Sequence, residues 1–317
     1  MGVNPDMLDQ RQLGRRLGAP MALAQRWLWP LAWATLVANV VLVVTGGAVR
    51  LTGSGLGCPT WPRCDANALT PRHSLNVHSA IEFGNRMLTF VLVFIAIATV
   101  IAAWRTAHRR LAVVILLGIP VQAVVGGISV LTHLNPWVVS VHLVASMAIV
   151  SLASLLLWRI SAGSVTDAPV RTATASPYLR GLGWATYGVT WLVLYAGTVV
   201  TGAGPHAGDE HAPRNGLSVL QFAQLHADLV SLFIGLTIGL LVATYALGAG
   251  PIARRAVWVL LLVELSQALI GWVQYFTHVP IVLVMFHMLG AALIAAAVTW
   301  ALLETLSPRR PAAQLAS

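Results

Sequence analysis

His78, Glu82 and Asn85 stand at i, i+4 and i+7 in "VHSAIEFGNRMLTFVL", the stretch from Val77 to Leu92. On a helix that spacing puts an imidazole, a carboxylate and an amide on one face. Arg86 lies about 100° round the helix from Asn85. The chain then runs apolar as far as Trp104. A carboxylate at the head of so apolar a segment has two uses. It is an ion-pair partner, for Arg86 or Arg50, or it is placed to hold and move a proton.

The histidines raise a second kind of chemistry. Of the ten, His142 and His287 occupy the same place in two similar stretches, and His226 lies in "QFAQLHADLV". A histidine among apolar residues either hydrogen-bonds across helices or binds a metal. Two neutral imidazoles on facing helices can hold one ion, and haem iron, with its flat macrocycle, suits an apolar bundle. His226 and His287 form one such pair. His142 has an altered partner, since aligning "FAQLHA" with "IEFGNR" sets His226 opposite Asn85. Thr-His recurs at Thr132-His133 and Thr277-His278. These are read first as turn residues, with contact to a haem propionate as the alternative. His206 and His211 lie in "GPHAGDEHAPRN" beside Asp209 and Glu210 and are expected to be solvated, as are His73 and His108. Asp228 and Glu264 read as polar pairs, with a proton path as the alternative.

Cys58 and Cys64 are the two cysteines, enclosed in "GCPTWPRC". They are either free thiols or a short closed loop. The topology derived below places them outside the cell, where disulfides persist, and favours the loop.

Positioning these groups falls to long apolar helices. The chain has 317 residues, 57% hydrophobic and 9% charged. Soluble chains carry roughly a quarter charged residues, so this composition describes a multi-pass membrane protein. A span needs about 20 apolar residues. Eight segments qualify on inspection, near 27–49, 78–104, 111–131, 137–158, 181–202, 221–247, 255–276 and 280–304. The first is expected to stay in the mature chain, because it is too long for a signal and an Arg-bearing leader precedes it.

All nineteen basic residues are arginine. Fourteen cluster at alternate loops: Arg11, Arg15, Arg16 and Arg26; Arg105, Arg109 and Arg110; Arg159, Arg171 and Arg180; Arg254 and Arg255; Arg309 and Arg310. The positive-inside rule then makes both termini cytoplasmic, in a plasma-membrane protein. Arg50, Arg63, Arg72, Arg86 and Arg214 fall on or near the outer side. Scattered in this way, the arginines do not form a nucleic-acid surface.

"VQAVVGGISVLTHLNPWVVSVHLVA" from Val121 and "SQALIGWVQYFTHVPIVLVMFHMLG" from Ser266 align without a gap at an offset of 145. Gln122 meets Gln267, Gly126 meets Gly271, and His142 meets His287. "VVTGGA" from Val43 is echoed by "VVTGAG" from Val199. The expected architecture is all-α: eight transmembrane helices as two pseudo-symmetric four-helix bundles, 1–160 and 178–317, joined by a cytoplasmic linker over 161–177.

"GGAVRLTGSGLGCPTWPRC" followed by "IEFGNRML" resembles the haem A synthase family of cytochrome oxidase assembly. The resemblance covers nearly all the spans. It implies oxidation of the C8 methyl of haem O to a formyl group by two hydroxylations, through a gem-diol that loses water. It implies haem b between His226 and His287, a substrate haem on His142, and Glu82 as the catalytic carboxylate. It also matches Cys58 and Cys64 to the family's cysteine pair. Arg50 and Arg86 are candidates for haem propionates, because a guanidinium suits paired carboxylate contacts. Two departures stand out. Asn85 replaces a histidine common in the family, so the substrate iron is either five-coordinate through His142 or uses His78. The loop Gly204–Asn215 lacks a cysteine pair found in some members. Implied partners are lipid, haem O with the enzyme that makes it, and an electron donor; the sequence leaves a homo-oligomer open. The rival readings are a bis-histidine di-haem electron carrier and a transporter.

Overall fold

In a computed structural model, residues 26–64, 68, 70, 76–163 and 176–306 are described. Arg72, His73, most of the 161–177 linker with Arg171, and the arginines at 11, 15, 16, 309 and 310 lie outside them. The described chain is helical: α1 (Leu28–Leu51), α2 (Val77–Ala103), α3 (Arg109–Leu131), α4 (Pro136–Gly163), α5 (Pro177–Ala203), α6 (Val219–Ala246), α7 (Pro251–Phe276) and α8 (Ile281–Leu306).

Local chemistry sets the helix starts. The Asn76 side chain accepts the Ser79 amide at 2.7 Å and opens α2. The Ser218 side chain caps α6 in the same way. Pro177 and Pro251 open α5 and α7, where a missing N–H costs nothing. Several helices run past the apolar windows, α7 starting at Pro251 and so taking in Arg254.

Seven of the eight are long and apolar enough to cross a membrane. The eighth, α5, has the length, but Tyr187, Thr190, Trp191, Tyr195 and Thr198 dilute its apolar character. Its position accounts for those residues, because α5 packs on three neighbours, α4, α6 and α8.

Packing runs α1 on α2, α2 on α3, α3 on α4 and α4 back on α1; α5 to α8 close in the same order. Between the two sets, α8 lies against α1 and α4, and α4 also meets α5. One apolar core joins α1–α4 with Ala292 and Ala295 of α8, and a second fills α5–α8 around Phe233, Leu240 and Leu260. Serines tie the sets together: Ser151 and Ser154 of α4 donate to the carbonyls of Ala295 and Ala296. At the same junction the Trp158 indole donates to buried Glu304 at 2.9 Å.

The Thr-His pairs are turns. His133 and Leu134 have φ of 53° and 61°, and His278 and Val279 have 62° and 60°. Left-handed backbone is unfavourable for such residues, yet both repeats adopt it at the same place. The turns close through the Leu134 amide on the Ser129 carbonyl and the Val279 amide on the Gln274 carbonyl, each at 2.7 Å.

Candidate functional site

The face bearing His78, Glu82 and Asn85 turns towards α1 and the loop after it. His78 is exposed, and its Nδ1 meets the Ser54 hydroxyl at 3.0 Å. Asn85 accepts the Thr45 hydroxyl at 2.8 Å. Glu82 is 5% exposed. Its Oε1 pairs with Arg86 at 2.6 Å, and its Oε2 accepts the Cys58 amide at 2.6 Å. The ion pair is therefore with Arg86, one turn on along the same helix, and not with Arg50.

Arg86 also donates to the carbonyls of Cys58 and Thr60 at 3.2 Å. Glu82 and Arg86 thus grip a loop closed by the Cys58–Cys64 disulfide. The same loop lays the Trp61 ring on Gly127 of α3, where a Cβ would strike the indole. So short a loop leaves many backbone groups without mutual partners, and the two charged side chains supply them.

Arg50 leaves this cluster altogether. It donates to the carbonyls of His206 at 2.7 Å and Thr201 at 3.0 Å, joining the end of α1 to the end of α5 and the loop after it. Nearby, the Gly55 amide donates to the Gly208 carbonyl at 2.8 Å, and Leu134 packs with Ala207 and Ala212.

Two expectations of solvation are corrected here. His206 is half-buried, with Nε2 3.0 Å from the Val279 carbonyl. His108 is half-buried too; burial first, and then Arg159, push it below the usual histidine value. His211 stays exposed beside Asp209. Asp228 accepts from Gln224 on its own exposed face. Glu264 is buried and accepts the Thr237 hydroxyl at 2.7 Å.

Three imidazoles remain, each pressed on a glycine of a neighbouring helix. A Cβ at Gly126 would lie 3.2 Å from Cε1 of His142, one at Gly271 3.4 Å from that of His287, and one at Gly197 3.2 Å from that of His226. The rings of His226 and His287 face each other across α6 and α8, with centroids 6.5 Å apart. Metal–imidazole bonds are about 2 Å, so two rings on opposite sides of one ion stand with centres roughly 6 Å apart. Nδ1 of His226 meets the Val193 carbonyl at 3.1 Å, which leaves Nε2 as its lone-pair donor. Among the described residues no three ligating side chains converge on one point. A pair of imidazoles alone suits a metal that brings its other donors with it, as haem iron does. The residues present therefore fit a haem at His226 and His287. His142 has the same glycine seat without a ring partner among the described residues.

The glycine seats as such, the Val193 carbonyl and the Trp61 contact carry no sequence signal. Only the alignment of Gly126 with Gly271 hinted at the first.

Fold and site define a class: a multi-pass helical membrane protein with half-buried imidazoles seated on glycines of neighbouring helices. The chain belongs to the cytochrome oxidase assembly protein family, whose pattern covers residues 29–299. It is 26% identical over 279 residues to a haem A synthase of Staphylococcus epidermidis, across 82% of this chain and 90% of that one. A haem A synthase of Staphylococcus haemolyticus is 28% identical over 182 residues, across 54% of this chain and 58% of that one. One from Listeria monocytogenes is 28% identical over 173 residues, across 52% and 56%.

Proposed function

We propose that this chain is a haem A synthase, oxidising the C8 methyl of haem O to a formyl group. The observation that supports it is an asymmetry. The α5–α8 half pairs two imidazoles, whereas the α1–α4 half has one, His142, with Asn85 in the place aligned with His226 and Glu82 one turn before it on α2. A resident haem b takes the first place, on His226 and His287, and the substrate haem the second, on His142. A di-haem electron carrier would need an imidazole pair in each half. Here the α2 position aligned with His226 is Asn85, already engaged with Thr45.

The methyl exchanges two hydrogens for one oxygen. With water as the oxygen source, the change releases four protons and four electrons. Bound haem iron supplies the redox chemistry. The side chains have simpler tasks. His142 orients the substrate from its glycine seat. Glu82, hydrogen-bonded by Arg86 and the Cys58 amide, accepts and passes on a proton. Arg86 keeps the disulfide loop closed over this end of the bundle, which restricts water. Arg50, with Nη1 uncommitted to a backbone carbonyl, is the cation for a propionate.

In this reading residues 1–160 and 178–317 are two copies of one unit, with both termini cytoplasmic and the disulfide loop outside. Haem O arrives from the enzyme that makes it, and a separate redox partner exchanges the electrons.

The test is the extracted haem of the purified full chain, produced in cells that supply haem O and resolved by chromatography and mass. Formyl-bearing haem in the wild type and its loss in Glu82→Gln is the expected result. Only unmodified haem in the wild type would overturn the synthase reading.

A further inference from the structure

Among the described residues, four of the buried polar atoms without hydrogen-bond partners fall into two matched pairs: Oε1 of Gln122 with Nδ1 of His142, and Oε1 of Gln267 with Nδ1 of His287. Each pair is an acceptor and a potential donor. They recur at the offset of 145 that relates the two repeats. Buried polar atoms are rarely left unpaired, so their coincidence at both sites calls for one explanation.

The placement supplies it. Each glutamine stands one turn before the glycine that seats its histidine: Gln122 before Gly126, and Gln267 before Gly271. The seats are alike, with Nδ1 3.9 Å from the added Cβ in both. Gln122 already touches the histidine's turn, its Nε2 donating to the His142 carbonyl at 3.2 Å and to the Ser146 hydroxyl at 3.0 Å. The Gln267 side chain lies against Gly290, one turn beyond His287, where a Cβ would strike the amide. The third histidine shows the completed arrangement, because His226 already has a carbonyl oxygen on Nδ1. A histidine that binds metal through one nitrogen almost always donates the other N–H to an acceptor, which fixes the tautomer and makes the ligand more basic.

We propose that Gln122 and Gln267 are positioning residues whose amide oxygens accept the Nδ1–H of His142 and His287 when Nε2 binds iron. The inference rests on these histidines being haem ligands. Gln267 then sets both the orientation of the His287 ring and the electron density on its Nε2. A stronger acceptor favours the ferric iron and lowers the midpoint potential; loss of the acceptor raises it.

The experiment measures the midpoint potential and the low-spin haem content of the purified full chain by spectroelectrochemistry. Gln267→Met keeps volume and charge but removes the acceptor, and Gln267→Glu strengthens it. The expected order of potentials is Met above Gln above Glu. A tenfold change in the ferric-to-ferrous preference reads as about 59 mV. Where Gln267→Met fails to fold, Gln267→Asn withdraws the oxygen by one methylene and should also raise the potential. An unchanged or lowered potential in the neutral variant overturns the proposal. His287→Ala separates the two levels. If it retains low-spin haem, the ligand assignment itself fails. If it loses that haem while Gln267→Met leaves the potential unmoved, only the glutamine role fails.

Discussion

Replacing Glu82 with glutamine separates its two roles. The carboxylate accepts two charge-assisted hydrogen bonds of 2.6 Å, from the Cys58 amide and from Arg86. Hydrogen bonds to charged groups are worth about 1.5–3 kcal/mol. Glu82→Ala removes both and leaves a buried amide unpaired. Opening of the loop at Cys58 should become easier by that amount, so exchange of its amide hydrogen should quicken by one to two powers of ten. Arg86 keeps its carbonyl contacts to Cys58 and Thr60, so the loop loosens without being released. Glu82→Gln retains an acceptor oxygen for Cys58 but carries no charge. Its amide exchange should stay nearer the wild type while haem A formation falls by about 10²–10⁴, the usual cost of losing a general acid or base. The assays are mass-resolved hydrogen exchange on the purified protein and haem extraction from producing cells. Near wild-type haem A from Glu82→Gln would refute the proton role and make Glu82 a clamp for the disulfide loop. Loss of haem b in Glu82→Gln would show a structural collapse and refute the separation of the two halves.

Three further outcomes are expected. His226→Ala and His287→Ala should each abolish the low-spin haem b spectrum, and retention of that spectrum in both would remove the ligand assignment. Gly127→Leu should displace Trp61 and with it the loop that Arg86 holds, which tryptophan emission would report; an unchanged spectrum would show that the contact does not matter. Arg50→Ala should lower the Tm in detergent, because two carbonyls lose a charged donor at about 1.5–3 kcal/mol each. Arg50→Lys should restore little, since one ammonium cannot reproduce a fork of two bonds.

Sequence alone determined what depends on composition, period and local chemistry. The long apolar runs require helices in lipid, because no water there satisfies a free backbone. The repeat set His142 and His287 in equivalent places, and two cysteines with five residues between them favoured a closed loop. The buried carboxylate of α2 was legible too, as an anomaly in an apolar segment. Only the tertiary structure decided the partners. Glu82 had two arginines within reach of the argument, and the choice between them turned on where the end of α1 meets the loop after α5. There Arg50 finds the Thr201 and His206 carbonyls, while Arg86 lies one turn from Glu82 on its own helix. His206 read as a loop residue in water and is held by a carbonyl from the turn before α8. The facing of His226 and His287 depends on the α6 and α8 surfaces that meet, and the seat of each ring on a glycine supplied by a neighbouring helix. Periodicity gives the face of one helix; which face it meets is fixed by packing among all eight, and that packing places the acceptors, seats and ring pairs on which the chemistry rests.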